Sequence, residues 1–367
     1  MKADNECLLE TEAGTFKKGN DIMSNKTFYQ TGLEKIEVGE APMPVMGPDD
    51  VTIKVQSVGV CGSDLHYYRK GAIGDFVVDY PFILGHEAAG VVTAVGENVK
   101  KIKVGDRVCM EPGVPCMKCE ECLSGNYNLC KDVKFWATPP YDGVLSEYIT
   151  HPAAFTFPIP DNMSFTEGAL VEPLAIGLHA CNTGGVKLGQ TVVIMGAGCI
   201  GLVTLLAAKA YGATQIVVGD VIDKRLAKAE ELGAIVVNTK NDDIVAKVME
   251  LTNGHGADVA IDCAGFSSTV DACLSAAKPA GMVIIVGLGE DRVNGFNTSI
   301  MSTKELTVKS IFRYRNLYPT AINAIADGRI NVGAIVSHRF KFDDTIEAFA
   351  TCTRDIQNVV KGVIEYE

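Results

Sequence analysis

Hydrophobic and polar positions follow two textures along the chain. From Asp49 to His151, short β-type runs (Val51–Val60, Gly90–Val95, Arg107–Met110) are broken by Gly and Pro, which predicts an irregular, mainly β lobe. A further strand-like run, Lys26–Glu37, precedes them. From Gly189 the pattern changes to apolar strands, Thr191–Met195, Gln215–Gly219, Asp258–Asp262 and Met282–Gly287. Helical periods such as Lys224–Leu232 and Asp242–Leu251 lie between them. Strand–helix alternation predicts an α/β unit with a doubly wound parallel sheet. The residues after it return to a mixed pattern, and no internal repeat is visible.

Two segments imitate something else. Gln190–Ala208 carries no charge and approaches the length of a membrane span. Its glycines (Gly196, Gly198, Gly201) and β-branched opening predict a strand, a tight turn and a buried helix instead, so no membrane association is expected. Met1–Ile22 is polar and mixed in charge, without the apolar core of a signal peptide, and is expected to be a peripheral extension. Met23 is an alternative start, because the first strand-like run follows directly.

Composition narrows the function. A chain of 367 residues is too long for one ordinary core and implies two domains. Lys and Arg total 33 against 45 Asp and Glu, a net charge of −12 that repels phosphate backbones and excludes a nucleic-acid partner. Of 12 cysteines, four crowd between Cys116 and Cys130, while Cys7, Cys181, Cys263 and Cys352 are scattered. A secreted disulfide scaffold is short and Cys-dense throughout, so a cytoplasmic protein with a metal cluster is the expectation.

Gly196-Ala-Gly198-Cys-Ile-Gly201 follows the strand Thr191–Met195 and opens a helix running through Leu202–Ala210. The first Gly permits the tight turn, the second lets backbone approach a pyrophosphate, and the third lets helix pack on strand. Asp220, 19 residues beyond Gly201 at the end of the next strand, is placed to accept the adenosine ribose hydroxyls. A carboxylate there repels a 2′-phosphate and favours NAD over NADP. Arg225 nearby is the residue type that accommodates such a phosphate, and Asp220 capping the next helix is the plainer alternative.

Cys116, Cys119, Cys122 and Cys130 have the spacing C-x2-C-x2-C-x7-C. Four thiolates so close in sequence fold around one tetrahedral ion and fill every position, a structural site for zinc or, with sulfur ligands alone, iron. Lys118, Glu120 and Glu121 between them argue against four buried hydrophobes. Upstream, Cys61 in Gly59-Val-Cys-Gly-Ser63-Asp64-Leu-His66-Tyr67, and His86-Glu87 after Gly85, offer three ligands from separate loops. Three protein ligands leave the fourth position open, the arrangement of a catalytic zinc.

Cys61-Gly-Ser-Asp-Leu-His-Tyr, Gly85-His-Glu-Ala-Ala-Gly, the four-cysteine lobe and Gly196-Ala-Gly-Cys-Ile-Gly together resemble the zinc-containing medium-chain alcohol dehydrogenases, and more narrowly their sorbitol/xylitol dehydrogenase branch. The likeness runs from about residue 26 to the C-terminus. It implies a GroES-like β-rich catalytic domain at 23–174, a Rossmann domain at 175–313 and a return to the catalytic domain at 314–367, after an extension at 1–22. It also implies two zinc ions per subunit, NAD as cofactor, and a homotetramer or homodimer.

Residue by residue, the resemblance implies that Cys61, His86 and Glu87 hold the catalytic zinc. Glu172 of Val171-Glu-Pro173 binds it directly or through water; ordinary alcohol dehydrogenases have Cys there, and the change to Glu points towards polyols. Ser63 would begin a proton relay, with His66 behind it. Ile200, Val286 and Leu288 join Gly196, Gly198, Gly201, Asp220 and Arg225 as cofactor-binding positions. Tyr67, Phe135, Trp136, Arg313 and Tyr314 match the substrate side. For Tyr67 and Trp136 simple packing stays open, and for Arg313 a domain-bridging ion pair. Vertebrate sorbitol dehydrogenases lack the complete four-cysteine set, so the chain is expected nearer the microbial enzymes.

The reaction so implied is reversible oxidation of a secondary hydroxyl of a polyol (sorbitol, xylitol or iditol) to a ketose. Butanediol, threonine or sugar-acid dehydrogenases share the zinc and the cofactor. A zinc-free quinone reductase is excluded by Cys61, His86 and Glu87, and an inactive cofactor-binding sensor would have lost a ligand that is present here.

Overall fold

The computed structural model describes residues 16–18, 21–289 and 296–366. Cys7 and much of the expected 1–22 extension therefore lie outside the described residues.

Two sheets carry the molecule. The first is built on Asp50–Val60, whose buried positions include Val51, Ile53, Val55 and Val58. It pairs antiparallel with Glu87–Val95 on one side and with Gly362–Glu365 on the other. Beyond these lie Arg107–Met110, Thr156–Pro158 and His338–Lys341, with Tyr148–Pro152 also pairing along Asp50–Val60. The C-terminal strands thus return to the first lobe after the chain has passed through the second.

The second sheet is six-stranded and parallel, in the order Ile235–Asn238, Gln215–Asp220, Thr191–Met195, Ala257–Asp262, Ala277–Ile285, Thr307–Ser310. Apolar residues stand on both its faces. Ile194, Val218 and Ile261 join a core with the helices Val171–Gly184 and Cys199–Ala210. Val193, Val217, Ala260 and Val283 join another with Ile244–Leu251 and Ser267–Ala276. A sheet covered on both faces explains why its strands read as continuous apolar runs. The uncharged stretch Gln190–Ala208 resolves into the expected strand, turn and helix. No helix among the described residues is long and apolar enough to cross a membrane.

The structure departs from the sequence reading in two strands and at several helix ends. Lys26–Glu37 is not one strand but most of a hairpin, Asn25–Gly32 paired with Lys35–Ala41; the chain reverses at Leu33-Glu34, where Glu34 takes φ 54°. The strand read as Met282–Gly287 is Ala277–Ile285. Its pairing shifts register between Ala257 and Val259, so Lys278–Gly281 forms a bulge, and Pro279 and Gly281 there read as loop in the sequence. Helix ends move by one or two residues: Lys224–Leu232 is Asp223–Glu231, and Asp242–Leu251 begins at Ile244, capped by the Asp243 carboxylate. The helix that the glycine turn opens runs Cys199–Ala210.

Candidate active site

Strand register assembles the first ligand group. Gly59 stands opposite Glu87, so Cys61, just past the end of one strand, meets His86 and Glu87 at the start of the next. A Cβ on Gly59 would lie 2.0 Å from Glu87 Oε2; only glycine leaves room for that carboxylate. Cys61 caps the helix Gly62–Lys70, and Asp64 ties the two ligand loops together. Its carboxylate accepts from Cys61 N (3.2 Å) and Gly85 N (3.0 Å) and faces His86 Nδ1 at 3.3 Å. The ligand atoms of Cys61, His86 and Glu87 lie within 4.8 Å of one another. Two of their buried atoms, His86 Nδ1 and Glu87 Oε2, have no hydrogen-bond partner, although Lys361 Nζ forms an ion pair with the latter at 2.5 Å. Thiol, imidazole and carboxylate on one point fit a zinc ion.

Glu172, buried in the helix Val171–Gly184, stands outside that group of three and accepts a hydrogen bond from Tyr314 Oη at 2.8 Å. Burial pushes its carboxyl up to about 7. Arg313 adopts a left-handed backbone (φ 54°) and lays its guanidinium over Phe135, 3.7 Å from the ring centroid. Phe135 in turn packs against the His86 imidazole, 5.7 Å between centroids, so Arg313 and the ligand group share one aromatic wall. Arg313 Nη1 is buried without a partner, and among the described residues no ion pair holds this side chain. Burial lowers its pKa to about 10. Tyr67 is buried close enough to feel the charges of Arg313, Asp64 and His86, and burial raises its phenol to about 12.

Trp136 packs in a tilted arrangement against His151, with ring centroids 4.2 Å apart. Ser63 donates to Cys61 Sγ at 3.4 Å. His66, on the same helix, lines a small cavity with Arg69, Cys352 and Ile356. Sequence reasoning missed Lys361 and Glu111. Glu111 is a second buried carboxylate near Glu172, raised to about 7 by burial, and accepts from Tyr127 Oη at 2.8 Å. Asp64 stood inside a recognised motif and was the one detectable omission.

The four cysteines of the lobe also converge, with ligand atoms within 4.8 Å and Sγ–Sγ separations of 3.4 Å (Cys119 to Cys122) and 4.0 Å (Cys116 to Cys122). Thiolates about 2.3 Å from a tetrahedral ion stand about 3.8 Å apart, which matches. Backbone N–H groups of Cys116 and Cys119 point at Cys130 Sγ and Cys116 Sγ, and backbone donors starting with Lys118 N–H lower the Cys116 thiol to about 7.

In the glycine turn, Gly196 has φ 98°, and a Cβ on Gly201 would lie 1.8 Å from Gly196 O. Gly198 faces open space, its nearest neighbour being Arg225 Nη1 at 3.9 Å from a built Cβ, so its backbone is accessible to an anion. Ile200 packs its side chain against the core beneath. Asp220 does more than end its strand: one oxygen accepts from Ala197 N at 2.6 Å, the other from Val221 N and Ile222 N. The carboxylate thus fixes both the glycine turn and the approach to the next helix. Arg225 donates to Ile356 O across the lobes at 3.0 Å, with its Nε buried and unpartnered. Val286 N and Gly287 N bond to Asp262 O, and Leu288 projects outward, 88% exposed.

These arrangements agree with what is found in known proteins. Residues 47–161 match the family described as "Alcohol dehydrogenase GroES-like domain", and residues 199–327 match "Zinc-binding dehydrogenase". The chain is 45% identical to D-xylulose reductase of Morganella morganii over 85% of its length and 93% of that protein. It is also 45% identical to sorbitol dehydrogenase of Mus musculus, over 90% and 94% respectively. Identity therefore does not separate the microbial from the vertebrate relative, despite the complete cysteine set. An Escherichia coli oxidoreductase/dehydrogenase of unknown specificity superposes with a TM-score of 0.90 at 43% identity, covering 94% of this chain and all of that one. With two ligand groups, a glycine turn and both lobes accounted for, the chain belongs to the zinc-containing medium-chain dehydrogenases, in their polyol dehydrogenase branch.

Proposed function

We propose that this protein oxidises a secondary hydroxyl of a small polyol to a ketose, reversibly, with NAD and with two zinc ions per subunit. The observation that carries the polyol reading is Arg313: a strained backbone, a guanidinium stacked on Phe135, and a buried donor without a partner beside the ligand group. A buried unsatisfied donor is costly, and a substrate hydroxyl would satisfy it. When bound, zinc on Cys61, His86 and Glu87 supplies Lewis-acid polarisation of the hydroxyl, and the nicotinamide ring supplies hydride acceptance. The chain's own residues do the rest. Ser63 Oγ, beside Cys61, takes the hydroxyl proton outward, with His66 further along the same helix. Glu172, oriented by Tyr314, holds a water or a second hydroxyl. Phe135 and Tyr67 wall the site against bulk water.

Arg313→Ala is expected to lower kcat/KM for xylitol and sorbitol about ten- to a hundredfold, the equivalent of one hydrogen bond to a charged group. A simple secondary alcohol should lose far less. NADH absorbance with a panel adding 2,3-butanediol, threonine and a sugar acid measures this, and equal losses throughout would refute the polyol pocket.

Asp220 supports NAD, since a 2′-phosphate would meet its carboxylate. Asp220→Ser should improve NADP use relative to NAD. Because Asp220 also holds Ala197 N, the variant should raise the KM for NAD as well. A wild-type preference for NADP in initial-rate assays would overturn the assignment.

A cytoplasmic location is supported by the absence of disulfides among the described residues and by thiols that must stay reduced to bind metal. A homodimer or homotetramer is supported by the outer edge of Thr307–Ser310, which ends the parallel sheet and suits pairing with a second copy.

A further inference from the structure

We infer that Tyr127 and Asn128, on the four-cysteine lobe, are positioning residues for polyol binding: they hold residues 312–316 in the shape that lays the Arg313 guanidinium over Phe135. The inference rests on the reading of Arg313 as a polyol-binding residue.

Residues 312–316 belong to no helix or strand, yet two of them, Arg313 (φ 54°) and Asn316 (φ 56°), are non-glycine residues in the left-handed region. Asparagine tolerates this region, but for arginine it is strained and persists only where its surroundings over-determine it. The surroundings here come from one turn of the lobe, Tyr127–Leu129. Asn128, 5% exposed, donates to Phe312 O at 2.7 Å and accepts from Arg315 Nη1 at 3.2 Å. Tyr127 Oη accepts from Asn316 N at 2.7 Å and donates to Glu111 Oε1 at 2.8 Å. These bonds grip the backbone immediately before Arg313 and three residues after it, and leave Arg313 itself free to point elsewhere.

The grip is itself anchored. The turn runs into Cys130, whose N–H donates to Tyr127 O, and is preceded by Asn126, whose N–H donates to Glu121 O. Cys130 and Cys122 are both members of the thiol cluster, so the turn is fixed at the ligands of the closed site. Tyr127 uses its hydroxyl both as donor and as acceptor, which sets its orientation, and Glu111 is the buried acceptor at its far end. Glu111, Tyr127, Asn128, Phe135, Arg313 and Tyr314 all line one small cavity under the substrate wall. A lobe far from Cys61 in function thus reaches the substrate side through two side chains.

The test uses the full-length, zinc-loaded enzyme with Tyr127→Phe, Asn128→Ala and Arg313→Ala, singly and in pairs. The quantity read is kcat/KM for xylitol divided by that for a simple secondary alcohol, with zinc content and calorimetric xylitol affinity measured alongside. Tyr127→Phe removes two hydrogen bonds and should lower the ratio about tenfold, chiefly through the KM for xylitol. In the Arg313→Ala background it should lower the ratio no further, because residues acting through one group are not additive. Should Asn128→Ala fail to fold, Asn128→Asp keeps the acceptor for Arg315 and removes only the donor to Phe312. Additive losses, or equal losses on both substrates, would overturn the positioning role while leaving the Arg313 reading intact. An unchanged ratio in Arg313→Ala alone would overturn both.

Discussion

His86→Ala should abolish turnover on every alcohol, by about a thousandfold or more, and reduce the zinc content from two ions per chain to one. Three side chains meet within 4.8 Å at this point, so losing one leaves two ligands, too few for a stable catalytic site. The Lewis-acid contribution then lost is several kcal/mol, and about 4 kcal/mol corresponds to a thousandfold. The four-cysteine group shares no residue with it and has no open position. Its ion should therefore survive both the substitution and mild chelation, so that activity disappears before the thermal midpoint falls. Metal analysis with parallel calorimetry checks this, and full activity in a preparation holding one zinc or none would remove the two-site assignment.

How much of this was legible depended on how far apart in sequence the interacting residues lie. Gly196, Gly198 and Gly201 act within one turn, and Cys116 to Cys130 span one short lobe, so spacing alone carried their chemistry. Cys61 and His86 meet through strand register, which a sequence displays only indirectly; the flanking Gly59 and Gly85 were the local trace of that crowding. Arg313 was placed by resemblance, and nothing in Phe312-Arg-Tyr-Arg-Asn316 announces a left-handed backbone. Glu111 precedes Pro112-Gly113 and looks like any acid at a turn until Tyr127 is found against it. The bulge in Ala277–Ile285 was hidden for a related reason: Pro and Gly signal a break, but pairing on either side of it continues the strand. Lys361 lies 274 residues from Glu87, in a stretch with no motif, and could not have been read at all.

That buried lysine supports the second large effect. Lys361 Nζ donates to Glu87 Oε1 at 2.6 Å and to Val60 O at 3.1 Å, and the two charged side chains are each 1% exposed. Burial alone would lower the ammonium pKa; the Glu87 carboxylate outweighs it and holds the value above the ordinary lysine range. Lys361→Met removes one partner and leaves a buried carboxylate in a space shaped by Gly59. Breaking a fully buried pair in this way destabilises by about 3–5 kcal/mol, whereas replacing both charges is close to neutral. The single variant should therefore unfold at a much lower urea concentration, and Lys361→Met combined with Glu87→Gln should recover most of the loss while remaining inactive. Zinc at Cys61, His86 and Glu87 would itself compensate the orphaned carboxylate. The loss should then be largest in metal-depleted protein and smaller in the zinc-loaded form. Urea midpoints for the unmodified protein, Lys361→Met, Glu87→Gln and the double variant, with and without zinc, separate these contributions. A loss below about 1 kcal/mol in both forms would mean that the pair behaves like a solvated surface bridge, and Lys361 would then be a space-filler rather than the counter-ion of Glu87.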